Sequence, residues 1–259
     1  MLSLYVHYGS GLGSNLGYGT GLGNGLGYGT GFFYDPTFIL VVIAAVIAMV
    51  AQARVTSVFS KYSKVMSTTG MTGAMAAQKL LNSQGIYDVT ILRVPGKLTD
   101  HYNPSNKTLN LSEFVYDSSS VASIGVAAHE CGHAIQHATG YVPLTIRSAI
   151  VPAANFGSKL SWVFIILGLI LSFNQTLIYI GIFMFSIAVL FQLVTLPVEL
   201  NASHRALHLL SETGILYKNE VDQTKKVLTA AALTYIAAAA ASILQLIRLI
   251  ILFGGRRRD

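Results

Sequence analysis

The chain has 259 residues, of which 53% are hydrophobic and 11% charged, with a mean hydropathy of +0.57. That balance excludes an ordinary soluble domain and points to an integral membrane protein. The formal net charge is +6, but the basic residues form no stripe with interleaved aromatics, so a nucleic-acid partner is excluded and the charge is assigned to membrane orientation.

Residues 1–35 are glycine-rich, with GLGSNLGYGT followed by GLGNGLGYGT as an imperfect repeat. Such a tract cannot bury enough apolar surface to offset its backbone entropy, and it is expected to be a mobile tail. No basic segment precedes an apolar stretch with a small-residue cleavage site, so no cleaved signal peptide is expected. Residues 36–54 hold the first membrane helix: Thr37 to Ala53 is uncharged and just long enough to cross the hydrocarbon layer. No Lys or Arg precedes it, whereas Arg54, Lys61 and Lys64 follow, which predicts an outside N-terminus and a cytoplasmic region after the helix.

Residues 55–158 are expected to form the catalytic region. Thr72 is a candidate N-cap for a helix with the apolar stripe Ala76, Ala77, Leu80 and Leu81, stopped at Gly85. Val89–Val94, Leu98–Tyr102 and Lys107–Leu111 read as strands, the last two joined by the turn formers Asn103 to Asn106. A small sheet before the next helix could hold an extended peptide on an exposed edge, for which the strand at Lys107–Leu111 is the candidate, or could simply roof that helix.

The helix that follows carries His129, Glu130 and His133 in a His-Glu-x-x-His pattern. Four residues turn about 400° on an α-helix, so the two imidazoles lie on one face and can meet one tetrahedral zinc ion. Glu130, about 100° round, is placed to act as general base on a water rather than as a ligand. The plainer alternative is a pair of buried, hydrogen-bonded histidines with a solvated carboxylate. Against it, Val126, Ala127, Ala128, Ala134 and Ile135 make burial of these polar groups costly unless a metal compensates. Cys131, the sole cysteine, sits at a non-ligand position as a small filler and rules out an intramolecular disulfide. His137 lies one turn further, but a straight helix cannot bring three successive i, i+4 histidines to one ion, so it is expected to support or pack against the site.

After Gly140, Pro143 can open a helix carrying Arg147, which Pro152 would kink or end. Residues 159–198 read as a membrane hairpin. Its first arm, Leu160 to Phe173, is short, so it extends backward, thins the bilayer or is re-entrant; the second arm, Thr176 to Val198, has full membrane length. The hairpin returns Glu199 to the side of the two histidines, which makes it the candidate third ligand in a segment covering 199–226. Residues 227–259 form an apolar helix and basic tail. This helix is either a fourth span or a helix whose first half packs on the catalytic region while its second half lies in or re-enters the membrane. The fold class expected is therefore a mainly α membrane protein, with a zincin-like core, a small β-sheet and three or four membrane helices.

HECGHAIQHATGY, with LTDHYNPSNKTLNLSE upstream and LPVELNASHRAL and AALTYIAAAAAS downstream, resembles the YugP-type neutral zinc metallopeptidases of bacterial membranes, from about Pro36 to the C-terminus. More distantly the plan resembles the HtpX and CAAX prenyl protease group of gluzincins. The resemblance implies one Zn2+ held by His129, His133 and Glu199, Glu130 as base, a peptide or membrane-protein substrate, and an integral protein of the bacterial cell membrane. Tyr235, His208 and Arg205 are candidates to aid the oxyanion. Ser203 departs from the wider group, where HtpX-type enzymes carry Asp, which puts that hydrogen bond in doubt. The competing classes are a catalytically inactive membrane scaffold, a metal-handling protein, and a zinc hydrolase acting on another bond. The near absence of charge within the spans argues against a transporter.

Overall fold

The computed structural model describes residues 35–255, so the glycine-rich tract and the terminal arginines lie outside the described residues. In chain order the elements are α1 (Phe38–Tyr62), α2 (Gly73–Ser83), β1 (Thr90–Val94), β2 (His101–Asn103), β3 (Thr108–Ser112), α3 (Glu113–Asp117), α4 (Val121–Ala138), α5 (Val142–Ile170), α6 (Gln175–Glu212) and α7 (Lys218–Phe253). Among them α1, α5, α6 and α7 are long and apolar enough to cross a membrane.

The centre of the fold is α4. It starts at Ser120, whose hydroxyl accepts from Ser123 N at 3.1 Å, and every residue from Val121 to Gln136 except His129 is buried. A helix buried on all sides needs partners on all sides. Those partners are α2, α3, α6 and α7. On the α2 side, Ala76, Ala77, Leu80 and Leu81 are fully buried, and Thr72 caps the helix by accepting from Met75 N.

The sheet has the order β1-β3-β2, with β1 parallel and β2 antiparallel to β3. Both edges of β3 are therefore taken. The strand that the sequence suggested as a peptide-binding edge is instead the buried centre, because the short β2 folds back onto it at the Asn103–Asn106 turn. The side of the sheet next to α4 is β2. It is fixed by Asp100, fully buried, which accepts from Ser112 N at 2.7 Å and Ser112 Oγ at 3.0 Å.

The hairpin arms α5 and α6 lie against each other. A Cβ on Gly157 would come within 2.9 Å of Met184 O, and one on Gly181 within 2.7 Å of Ser161 O. Small residues let the backbones approach closely, the form of packing available between helices in lipid. The turn between the arms uses left-handed Ser172 and Phe173, then Asn174, whose side chain caps α6 at Leu177 N. Pro152 neither ends nor divides α5, which runs unbroken to Ile170, so the short first arm extends backward. Likewise α6 continues through Pro197 and Glu199 to Glu212. The division drawn after residue 198 thus falls inside one helix.

The two versions of the last helix merge. Glu220 near the start of α7 accepts from Thr68 N at 2.6 Å and Tyr217 N at 2.8 Å, and Thr224 Oγ1 donates to Val121 O on α4. The first half of α7 therefore packs on α4 and on the segment before α2. Its second half runs antiparallel to α1, and Arg248 pairs with Asp35 at 3.1 Å at the far end. An arginine in an apolar helix is tolerated there because Asp35, just before α1, brings a counter-charge alongside.

Candidate active site

The helix period puts His129 and His133 on one face of α4, with ring centroids 4.8 Å apart and planes nearly perpendicular. Opposite them, Glu199 projects from α6. Its Oε2 is 3.2 Å from His129 Nε2 and 3.6 Å from His133 Nε2, and the three ligand atoms all lie within 4.8 Å of one another. Zinc ligands at 2.0–2.2 Å around a tetrahedral ion stand about 3.3–3.6 Å apart, so the two contacts to Glu199 match that spacing.

Each imidazole is oriented from behind. His133 Nδ1 lies 3.0 Å from Gln136 Oε1, while Gln136 Nε2 donates to Val198 O at 2.8 Å and Asn201 Oδ1 at 3.0 Å. Because Gln136 Oε1 can only accept, His133 carries a proton on Nδ1, which leaves Nε2 as the ring nitrogen facing Glu199. On the other ring, His129 Nδ1 meets Ser203 Oγ at 3.0 Å. Ser203 therefore makes the contact that its departure from the Asp-bearing pattern left in doubt. Burial alone would disfavour a charged His133, but the adjacent Glu199 and the nearby Glu130 outweigh it and raise its pKa. A pocket with two carboxylates facing two imidazoles is one that favours positive charge at its centre.

Glu130 is buried and accepts from Tyr102 N, in β2, at 3.0 Å. Tyr102 also places its hydroxyl 2.8 Å from His137 Nδ1. His137 thus supports the strand beside the site rather than facing Glu199. Tyr235, from α7, is the candidate whose phenol shares the electrostatic environment of Glu199 and Glu130. Cys131 is fully buried, donates to Ala77 O, and burial pushes its thiol pKa up, so it is an inert filler.

Two candidates are not brought to the ligand face. His208 is exposed and pairs with Glu212 at 3.1 Å. Nine residues separate it from Glu199, about two and a half helical turns, which points it to the opposite side of α6. Arg205 donates to Asn201 Oδ1 at 2.8 Å and lies over the Tyr141 ring, behind the histidines in the Gln136 network. Conversely, Arg147 had no assigned role from the sequence, yet it is buried with its NH1 3.4 Å from Glu199 Oε1. A lone arginine at the head of an apolar hairpin is the signal that marks it.

A family model described as "Putative neutral zinc metallopeptidase" matches residues 37–254. The chain belongs to this family. Zinc is accordingly its cofactor, and the buried His129, His133 and Glu199 form a group within metal-binding distance. The chain is also 46% identical over 182 residues to "Putative membrane protease YugP" of Bacillus subtilis (strain 168), an alignment covering 70% of this chain and 80% of that protein. No solved structure matches the chain.

Proposed function

We propose that the protein is a membrane-embedded zinc metallopeptidase of the bacterial cell membrane in which His129, His133 and Glu199 hold the ion and Glu130 is the general base. The observation that carries this reading is the convergence of three ligand-type atoms, two from α4 and one from a hairpin arm 66 to 70 positions downstream, with a second buried carboxylate, Glu130, on the same helix as the histidines. When bound, zinc supplies Lewis-acid chemistry, acidifying a water and polarising a carbonyl.

The chain's own groups do the rest. Glu130 takes the proton of the attacking water on a carboxylate oxygen and passes it to the leaving amine. Its hydrogen bond from Tyr102 N fixes it next to β2, the strand that flanks α4. Tyr235 steadies the developing negative charge on the substrate oxygen through its phenol. The site faces the cytoplasm, in keeping with Arg54, Lys61 and Lys64 after α1 and the lack of any Lys or Arg before it.

The test is Glu130→Gln in the purified full chain. Zinc content should stay at one per chain while peptide hydrolysis falls by about 10²–10⁴-fold. Hydrolysis at the wild-type rate would remove Glu130 from the mechanism. Comparing membrane-protein termini in cells carrying wild type and Glu130→Gln identifies the substrate.

A further inference from the structure

Glu199 has two carboxylate oxygens, and the site treats them differently. Oε2 faces the imidazoles at 3.2 and 3.6 Å, whereas Oε1 faces the Arg147 guanidinium with NH1 at 3.4 Å. Both side chains are sealed, Arg147 at 4% exposure and Glu199 at 2%. Neither Glu199 Oε1 nor Arg147 Nε has a hydrogen bond. A guanidinium buried this deeply against one carboxylate is costly. It is not reaching for lipid headgroups, since it is turned inward. The two residues also come from different arms: Arg147 from the site end of α5 and Glu199 from the site end of α6.

We propose that Arg147 is a positioning residue that occupies Glu199 Oε1 and so limits Glu199 to ligation through Oε2. This rests on the reading of Glu199 as a zinc ligand. A carboxylate free to bind through both oxygens takes up coordination space that catalysis must keep open. With its second oxygen held by a fixed cation, the carboxylate presents one oxygen in one orientation. The pair also ties the two arms of the hairpin together at the level of the ion.

Two physical effects of Arg147 have opposite signs, and this makes the role measurable. As a mere positive charge near a dication, Arg147 weakens zinc binding, and its removal should tighten it. As the partner that orients a ligand, its removal should weaken binding by about 10–100-fold. The experiment measures zinc affinity by chelator competition on the full chain in detergent, for wild type, Arg147→Met, Arg147→Lys, Glu199→Ala and the double variant Arg147→Met/Glu199→Ala. The expected result is weaker binding in Arg147→Met, partial recovery in Arg147→Lys, and a double variant that binds as Glu199→Ala alone does. Arg147→Gln undergoes the same measurement where the Met variant does not fold. Binding as tight as wild type, or tighter, in the folded Arg147 variants overturns the proposal, and so does an equal loss in the Glu199→Ala background. If Glu199→Ala itself binds zinc like wild type, the ligand reading has failed along with the proposal. If Glu199→Ala loses zinc while Arg147→Met keeps it, the proposal alone has failed.

Discussion

Gly132 lies between the two candidate ligand histidines, one position before His133, and it is where α4 and α6 touch backbone to backbone. A Cβ at this residue would stand 2.5 Å from Ala202 O and 3.0 Å from Ala202 Cα. Ordinary contact begins near 3.4 Å, so Gly132→Ala requires the helices to part by about 0.9 Å, and backbone cannot rotate out of the way as a side chain can. The parting acts on the very pair of helices that carries His129 and His133 on one side and Glu199 and Ser203 on the other. A 3.2 Å separation between His129 Nε2 and Glu199 Oε2 would open to about 4 Å, whereas metal–ligand bonds tolerate about 0.2 Å. Overpacking should lower stability by about 1–3 kcal/mol, and a misplacement of this size should cost about 10²-fold in turnover. Helix propensity works the other way, since alanine is favoured over glycine by about 1 kcal/mol. A loss therefore has to come from the contact. Zinc stoichiometry by metal analysis, together with thermal unfolding in detergent, reads both effects. A Gly132→Ala protein with one zinc per chain and unchanged Tm would refute the idea that this helix approach sets the site.

Ser203→Ala removes the partner of His129 Nδ1, and zinc affinity should drop by about 10–100-fold with the fold intact, as chelator competition would show. Unchanged affinity would mean that the ring is held by packing alone. His208→Ala should leave peptide hydrolysis and zinc content as they are, because that side chain is exposed and bound to Glu212. A large loss of turnover would return His208 to the site. Burial drives the Asp100 carboxyl above its ordinary range of 3.8, with Ser112 opposing and Glu130 adding to the rise. With the folded pKa raised, the stabilising contribution is full below the unfolded value and is lost as pH climbs through the folded one. Asp100→Asn should keep the contacts to Ser112 without that loss. Its Tm should therefore gain on wild type as pH rises above about 4, and a constant difference across pH would contradict this.

What the sequence made legible was local geometry. The angle between His129, Glu130 and His133 follows from one helical repeat, and Thr72 and Gly85 lie where cap and turn chemistry put them. Glu199 was reachable because a span of known length returns the chain to the side it left. The rest depends on pairings between distant segments, which periodicity does not encode. Strand order is one case: β3 and β2 have similar patterns, and only the fold decides which is enclosed. Arg147 is another, since a lone arginine after Pro143 says nothing of the carboxylate 52 positions on that it will meet. His208 is the opposite case. The half-integral number of turns from Glu199 already turned it away, and the chain itself contained that information.

The origin of the site residues also bears on when the site can exist. α4 contributes two imidazoles and Glu130, and all of these sit in a core shared with α2 and the sheet. Glu199, Ser203 and Arg147 belong instead to the hairpin arms, held together by glycine contacts that exclude side chains between the helices. α4 therefore supplies the two imidazoles and Glu130, while the hairpin arms supply the Glu199 carboxylate, the Ser203 hydroxyl beside His129 and the Arg147 guanidinium. Packing of the hairpin against α4, through Gly132 and Ala202, brings Glu199 to the two imidazoles. On the proposed reading, the three ligands meet only where the hairpin packs against α4, so the site would be coupled to the packing of the membrane segments.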